Sequence, residues 1–275
     1  QGAAQEPWLK QMIDGSAAAA EASPADSPAM KRLVQWKEQI EKAAPKSAAA
    51  GYAAFRVLTS EYAVKLAAGA GGKQDDVLKI QEWWRKGLEE FVKANPQAED
   101  APEALLRLAV ACEFAGRDGE ADAKKWYETL AKSYPQHAYA AKAEGAVRRL
   151  TSEGQPLQLS GRTIGNGTPF THAAVANKVV VVYYWATWGR EAANELKFLA
   201  ELHKTYGPKG LEIVTICLDD EAAKGVQVLN AGQIPGTHLH APGGLEKSPL
   251  SVQYGIQMVP HAFLVAKDGK VSNRN

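Results

Sequence analysis

The sequence predicts an all-α domain followed by an α/β domain, and three observations carry that reading. The chain has 275 residues, more than the roughly 100–200 that usually make one domain. From Met30 to about residue 150, apolar residues recur at spacings of three and four, the period of helices with one buried face. Beyond Ser152-Glu153-Gly154-Gln155-Pro156, short β-branched runs alternate with amphipathic segments, as layered α/β architecture requires. The expected boundaries are an arm over 1–29, a helical domain over 30–150 and an α/β domain over 151–275.

Residues 14–29 are rich in Ala, Ser and Pro, a composition that favours a disordered arm. Met30, Leu33, Trp36 and Ile40 then form one helical stripe, with Glu38 and Lys42 at the favourable i,i+4 spacing. Further helices are expected over about 49–68 and 76–94. The second has Val77, Ile80, Trp84, Leu88 and Phe91 on one face, and Asn95-Pro96 stops it. In residues 104–137, Ala111, Phe114, Ala123, Tyr127 and Pro135 follow a small, aromatic, small, aromatic, proline order around a Gly116-Arg117-Asp118 turn. This resembles a degenerate tetratricopeptide repeat, in which small residues let helices approach and aromatics fill the gaps. An Ala-rich bundle with proline stops is the alternative.

In the second domain, Val179–Tyr184 reads as a strand buried on both faces. A helix is expected over about 190–206, with Leu196, Leu199, Leu202 and Tyr206 towards the sheet. Leu211–Leu218 is the next strand, closed by Asp219-Asp220 at a helix start. Val259–Val265 is a strand opened by proline, and Lys267-Asp268-Gly269-Lys270 turns a terminal hairpin. About five residues separate the last helix, ending at Leu150, from Pro156-Leu157, so the junction is expected to be short and ordered.

Lys+Arg (32) and Asp+Glu (31) nearly cancel, which removes the charge footprint of a nucleic-acid binder or a polybasic membrane anchor. Proteins, peptides or small molecules remain as partners. No run approaches the ~18 apolar residues of a transmembrane helix. Cys112 and Cys217 fall in different predicted domains, so no disulfide framework is expected. The chain opens without Met, on Gln1-Gly2-Ala3-Ala4-Gln5-Glu6-Pro7, which reads like a segment following a removed signal peptide. Export is the expectation drawn from it.

Gln155-Pro156-Leu157, Val179–Tyr184, Trp185-Ala186-Thr187-Trp188, Asp219, Tyr254-Gly255-Ile256, Val259-Pro260 and Phe263-Leu264-Val265 together resemble thioredoxin-fold proteins of the TlpA/ResA type, within the wider thioredoxin and AhpC/TSA group. The resemblance covers about 155–275. It implies a Cys-x-x-Cys pair directly after Trp188, where a helix start stabilises a thiolate and the second thiol resolves the mixed disulfide. Here those two positions are Gly189 and Ala192, and neither can be a nucleophile. The resemblance also implies proton handling by Glu195. With no thiol to serve, a first-turn carboxylate favoured by the helix dipole is the plainer reading. Pro260 corresponds to the proline that is cis in this fold.

Cys217, near the end of a central strand, is weighed as a substitute thiol against a small buried hydrophobe. His238 and His240, with His261 nearby, are weighed as metal ligands, but two histidines two apart without a further ligand make a weak site, so neither metal nor cofactor is expected. The resulting expectation is a redox-inactive thioredoxin-like protein with a helical-repeat module that binds protein or peptide. Free amides at a helix start near Gly189 would offer an anion site. The alternative is a thiol-disulfide oxidoreductase whose pair has been replaced or which uses Cys217. Thioredoxin-like domains close with a helix after the last hairpin, and the sequence ends five residues after Lys270. A helix beyond 275, or cover from the first domain or another chain, is therefore expected over that sheet face.

Overall fold

The computed structural model describes residues 6–69 and 74–274, and its contacts group the chain into two compact units, 1–139 and 140–275. The first unit is helical: α1 (Glu6–Glu21), α2 (Pro28–Ala43), α3 (Ala48–Gly69), α4 (Gln74–Ala94), α5 (Ala101–Glu113) and α6 (Glu120–Ser133). Ser27 caps α2, its Oγ accepting from the Met30 N–H at 3.2 Å, and Pro28 supplies a preset φ at the first helical position. The stripe foreseen on α2 is buried at Met30, Leu33 and Ile40.

The expected flexible arm is largely α1. Ile13, Ala17 and Ala20 are buried in one core with α2 and α3, and the Asp14 carboxylate accepts from Tyr52 and Arg56 of α3. Low-complexity composition concealed a stripe at i, i+4 and i+7, whose small side chains permit close helix approach. On α4, Trp84, Leu88 and Phe91 are buried, whereas Val77 is exposed. The α5–α6 hairpin forms around Gly116, at φ 95°, and Gly119 sits where a Cβ would lie 2.0 Å from the Cys112 carbonyl. Ala123 and Tyr127 are fully buried, but Phe114, expected to fill a gap, is 55% exposed.

The second unit opens with α7 (Ala140–Leu150), then runs through β1 (Ser160–Arg162), β2 (Pro169–Thr171), β3 (Val179–Trp185), α8 (Ala192–Tyr206), β4 (Leu211–Cys217), α9 (Ala222–Gly232), β5 (Thr237–His240), α10 (Gly244–Lys247), α11 (Pro249–Val252), β6 (His261–Val265) and β7 (Val271–Arg274). β1 and β2 form a small antiparallel ribbon. The main sheet has the order β5-β4-β3-β6-β7, with β3, β4 and β5 parallel and β6 and β7 antiparallel. Val180, Val182 and Tyr184 enter one core with Val214, Ile216 and Phe263. Tyr183 and Trp185 enter the other with Ile213, Cys217, Leu196 and Leu199. This two-sided burial is what the unbroken apolar run of β3 encodes.

The change of sequence pattern near Thr151 is not where the compact units part, because α7 packs as part of the second. Lys142, buried, donates to the Leu245 carbonyl at 3.2 Å and pairs with Glu246 at 2.6 Å. Buried Arg149 donates to the Tyr254 carbonyl at 3.0 Å and the Gly255 carbonyl at 3.3 Å. Gly255 adopts φ 54° so that its backbone can lie against Ala146, where a Cβ would be 2.2 Å from the amide nitrogen. The 151–156 segment is ordered against β7, with the Gly154 N–H on the Val271 carbonyl at 2.8 Å and a bridge between Pro156 and Lys270. Among the described residues no helix is long and apolar enough to cross a membrane.

A Cβ at Gly145 would stand 2.0 Å from the Val252 carbonyl, which is backbone and cannot yield cheaply. Gly145→Ala should therefore destabilise by about 1–3 kcal/mol, read as a lower unfolding midpoint. Gly15→Ala in α1, with nothing within 4 Å of the added carbon, should instead stabilise by roughly 0.5–1 kcal/mol. Equal midpoints for the two variants would refute this packing of α7.

Candidate functional site

The site is built where β3 ends. Asp219, two residues beyond β4 and 3% exposed, points its carboxylate back at the turn leaving β3. It accepts from the Thr187 N–H at 3.0 and 3.2 Å, the Thr187 hydroxyl at 2.8 Å and the Cys217 thiol at 3.2 Å. The Leu218 N–H donates to the Trp185 carbonyl at 2.7 Å. These bonds hold Trp185-Ala186-Thr187 to the end of β4, so Asp219 anchors the turn, and α9 starts only at Ala222.

The next turn closes with Gly189 N–H on the Ala186 carbonyl at 3.0 Å and Ala192 N–H on the Gly189 carbonyl at 3.2 Å. α8 thus begins at Ala192 with Glu191 before it, two residues later than expected. The Gly189 amide is committed inside the turn and is not free to bind an anion. A Cβ on Gly189 would lie 3.7 Å from the Ala192 Cβ and 3.9 Å from Val259 Cγ2. The Val259–Pro260 peptide is cis. Positions 189, 192 and 260 therefore meet at one small cleft, together with Tyr183, Trp185 and Glu195, with about 10 Å³ of free space, room for a single water. Trp188 is 59% exposed and Met258 50%.

Glu195, one turn into α8, receives a short hydrogen bond from the Tyr183 hydroxyl. Burial, reinforced by that carboxylate, raises the Tyr183 phenol far above its usual range. Tyr183 was not among the sequence candidates. The available signal was a tyrosine inside an apolar run, because a buried hydroxyl needs a partner. The Trp185 indole N–H, fully buried at the same cleft, has no partner among the described residues.

Cys217 lies on the covered face of β4, 1% exposed, and burial pushes its thiol up to about 12. A Cβ at Gly225 would stand 2.6 Å from its sulfur, which shows how tightly α9 covers it. The histidines separate. His238 Nε2 donates to the Ile234 carbonyl and its Nδ1 accepts from Thr215, both at 2.9 Å; a carbonyl can only accept, which fixes the tautomer. His240 Nε2 donates to the Asp219 carbonyl at 2.9 Å. His261 is buried within a ring cluster, 5.0 Å from Phe263 and 6.3 Å from Tyr184. Among the described residues no three His, Cys, Asp or Glu side chains are grouped as metal ligands.

Burial, aided by Arg149 and Arg274, pushes His261 down to about 3. A histidine held neutral in the fold but free to protonate near 6.5 when unfolded contributes stability that is complete above pH 6.5 and falls away towards pH 3. His261→Phe should flatten the acid limb of the unfolding-midpoint curve between pH 6.5 and 4. Parallel limbs for the two proteins would show that His261 is not buried neutral.

Residues 177–271 match the family model described as thioredoxin-like. The thiol-disulfide oxidoreductases ResA of Bacillus anthracis and of Bacillus thuringiensis (strain Al Hakam) are each 32% identical over 95 residues, 34% of this chain and 52% of theirs. The chain thus spans about half the length of these relatives. Among solved structures, a thiol-disulfide oxidoreductase from Bacteroides fragilis NCTC 9343 aligns with TM-score 0.40 and 21% identity, covering 43% of this chain and 88% of that one. A thioredoxin-family thiol:disulfide interchange protein from Chlorobium tepidum TLS aligns with TM-score 0.38 and 23% identity, covering 44% and 82%. The C-terminal part of the chain is a thioredoxin-like domain, with ResA-type thiol-disulfide oxidoreductases as its homologues.

Proposed function

We propose that this chain is a redox-inactive member of the thioredoxin-like thiol-disulfide oxidoreductase group, acting by binding protein or peptide. One observation supports the reading: Gly189 and Ala192 occupy the two positions after Trp188 at which the resemblance implies cysteines, and a Cβ on Gly189 would lie 3.7 Å from that of Ala192. The one cysteine of this unit, Cys217, is buried and held protonated, and a protonated thiol does not attack disulfides.

What remains is surface. Trp188 and Met258 are exposed, and the Val259 main chain forms no hydrogen bond among the described residues. That combination suits an extended segment adding to an unpaired strand end. The helical unit, read as tetratricopeptide-like, would add a second peptide-binding surface. Export to the cell envelope belongs to the same proposal, and recovery of the tagged gene product from the cytosol would remove it.

The alternative, a working thiol-disulfide oxidoreductase, draws on the names of the homologues. Insulin reduction separates the two readings: the chain should show none above background, and clear turnover would establish the enzyme. The 3.7 Å separation falls within the usual 3.5–4.5 Å for Cβ atoms of a disulfide. Gly189→Cys with Ala192→Cys should thus form an intramolecular disulfide under mild oxidant and gain insulin reduction. Two thiols that stay unpaired would mean that the frame is not the one described. For the binding role, reduced carboxymethylated lactalbumin, a soluble unfolded chain, should slow hydrogen exchange at the amides around Val259 and Trp188. Unchanged exchange at saturating concentration would overturn it.

A further inference from the structure

A cavity of about 310 Å³ opens at the other end of β3 from the Gly189 turn. Its lining includes Val180 and Val182, in the first half of the strand, whereas the turn follows the strand's last residue. At about 3.3 Å per residue the two sites stand roughly 15 Å apart. The floor is aliphatic and aromatic: Leu159, Phe170 and Val175 from the β1–β2 side, and Val180, Val182 and Val265 from the sheet. All six are buried members of one core cluster, and the cavity opens beside them. A void of this size deprives its lining of dispersion contacts that close packing would supply.

The rim is of a different chemistry. His172, Lys178 and Lys267 are the basic residues of the lining. Lys178 holds Glu212 at 2.7 Å. Asp268, the acid on the rim, turns an oxygen onto the Lys270 N–H of its own hairpin at 3.1 Å. Neither the Lys267 ammonium nor the His172 ring has a hydrogen-bond partner among the described residues. The His172 main chain is fixed by its N–H on the Leu159 carbonyl at 2.9 Å, and Asn177 stands in the left-handed region at φ 63° beside it. An apolar chamber with a few convergent polar groups at its mouth is the usual form of a small-molecule site.

We propose that this cavity binds a small amphiphilic carboxylic acid, its hydrocarbon body on the Phe170–Val182–Val265 floor and its carboxylate towards Lys267 and His172. The volume suits a chain of about eight carbons. The site is independent of the Gly189 turn and does not depend on whether the chain is redox-active.

Isothermal titration of the full chain with butyrate, hexanoate, octanoate and octanol tests it. Burial predicts about fourfold tighter binding per added methylene, and the basic rim predicts octanoate about two- to fivefold tighter than octanol. Lys267→Glu should abolish that preference while the unfolding midpoint stays unchanged. Ala176→Trp, at an exposed rim position, should block octanoate altogether without altering the core. Absence of octanoate binding at millimolar concentration, equal binding of octanoate and octanol, or unchanged octanoate affinity in folded Ala176→Trp would each overturn the proposal.

Discussion

The arrangement of the α/β unit's functional end rests on one buried carboxylate. Asp219 takes three bonds from Thr187 and one from Cys217, and its own carbonyl receives His240. It thereby ties the turn after β3 to the ends of β4 and β5. A buried carboxylate is tolerated only when its oxygens are well supplied with donors, and here the donors are the very groups whose position matters. Through Thr187 the Trp185–Ala192 segment is fixed, and through that segment the start of α8 and the placing of Glu195 follow.

On the proposed reading, a site keeps its form without its chemistry. The turn and the helix start depend on main-chain bonds and on Asp219, and none of these needs a thiol at 189 or 192. With Gly at 189 and Ala at 192, the cleft has space for one water, and the Tyr183–Glu195 pair and the Trp185 indole occupy its wall. Cys217 faces the packed side of β4 under α9. Its hydrogen bond to Asp219 also makes it a donor in the structural clamp.

Much of this was legible in the sequence where a residue's role is local. The apolar run of β3 needed two covered faces, and both are packed. What escaped was set by tertiary contact. Residues 14–29 look disordered by composition, yet Ala17 and Ala20, with Ile13 just before the stretch, pack in one core with α2 and α3. The compact division of the chain falls before α7, because Gly145 and Gly255 allow a backbone approach that no periodicity reports. The Tyr183 to Glu195 bond joins two elements, and His238 loses any freedom to bind metal only through Ile234 and Thr215, which lie elsewhere in the chain.

The central claim is that the folded chain presents no usable thiol, and intact-protein mass measurement after incubation with excess glutathione disulfide near pH 8 tests it directly. With Cys112 and Cys217 both buried and both raised by burial, the native protein should keep its mass unchanged, and adducts should appear only when denaturant is present. A stoichiometric glutathione adduct on Cys217 in the native protein would contradict the account.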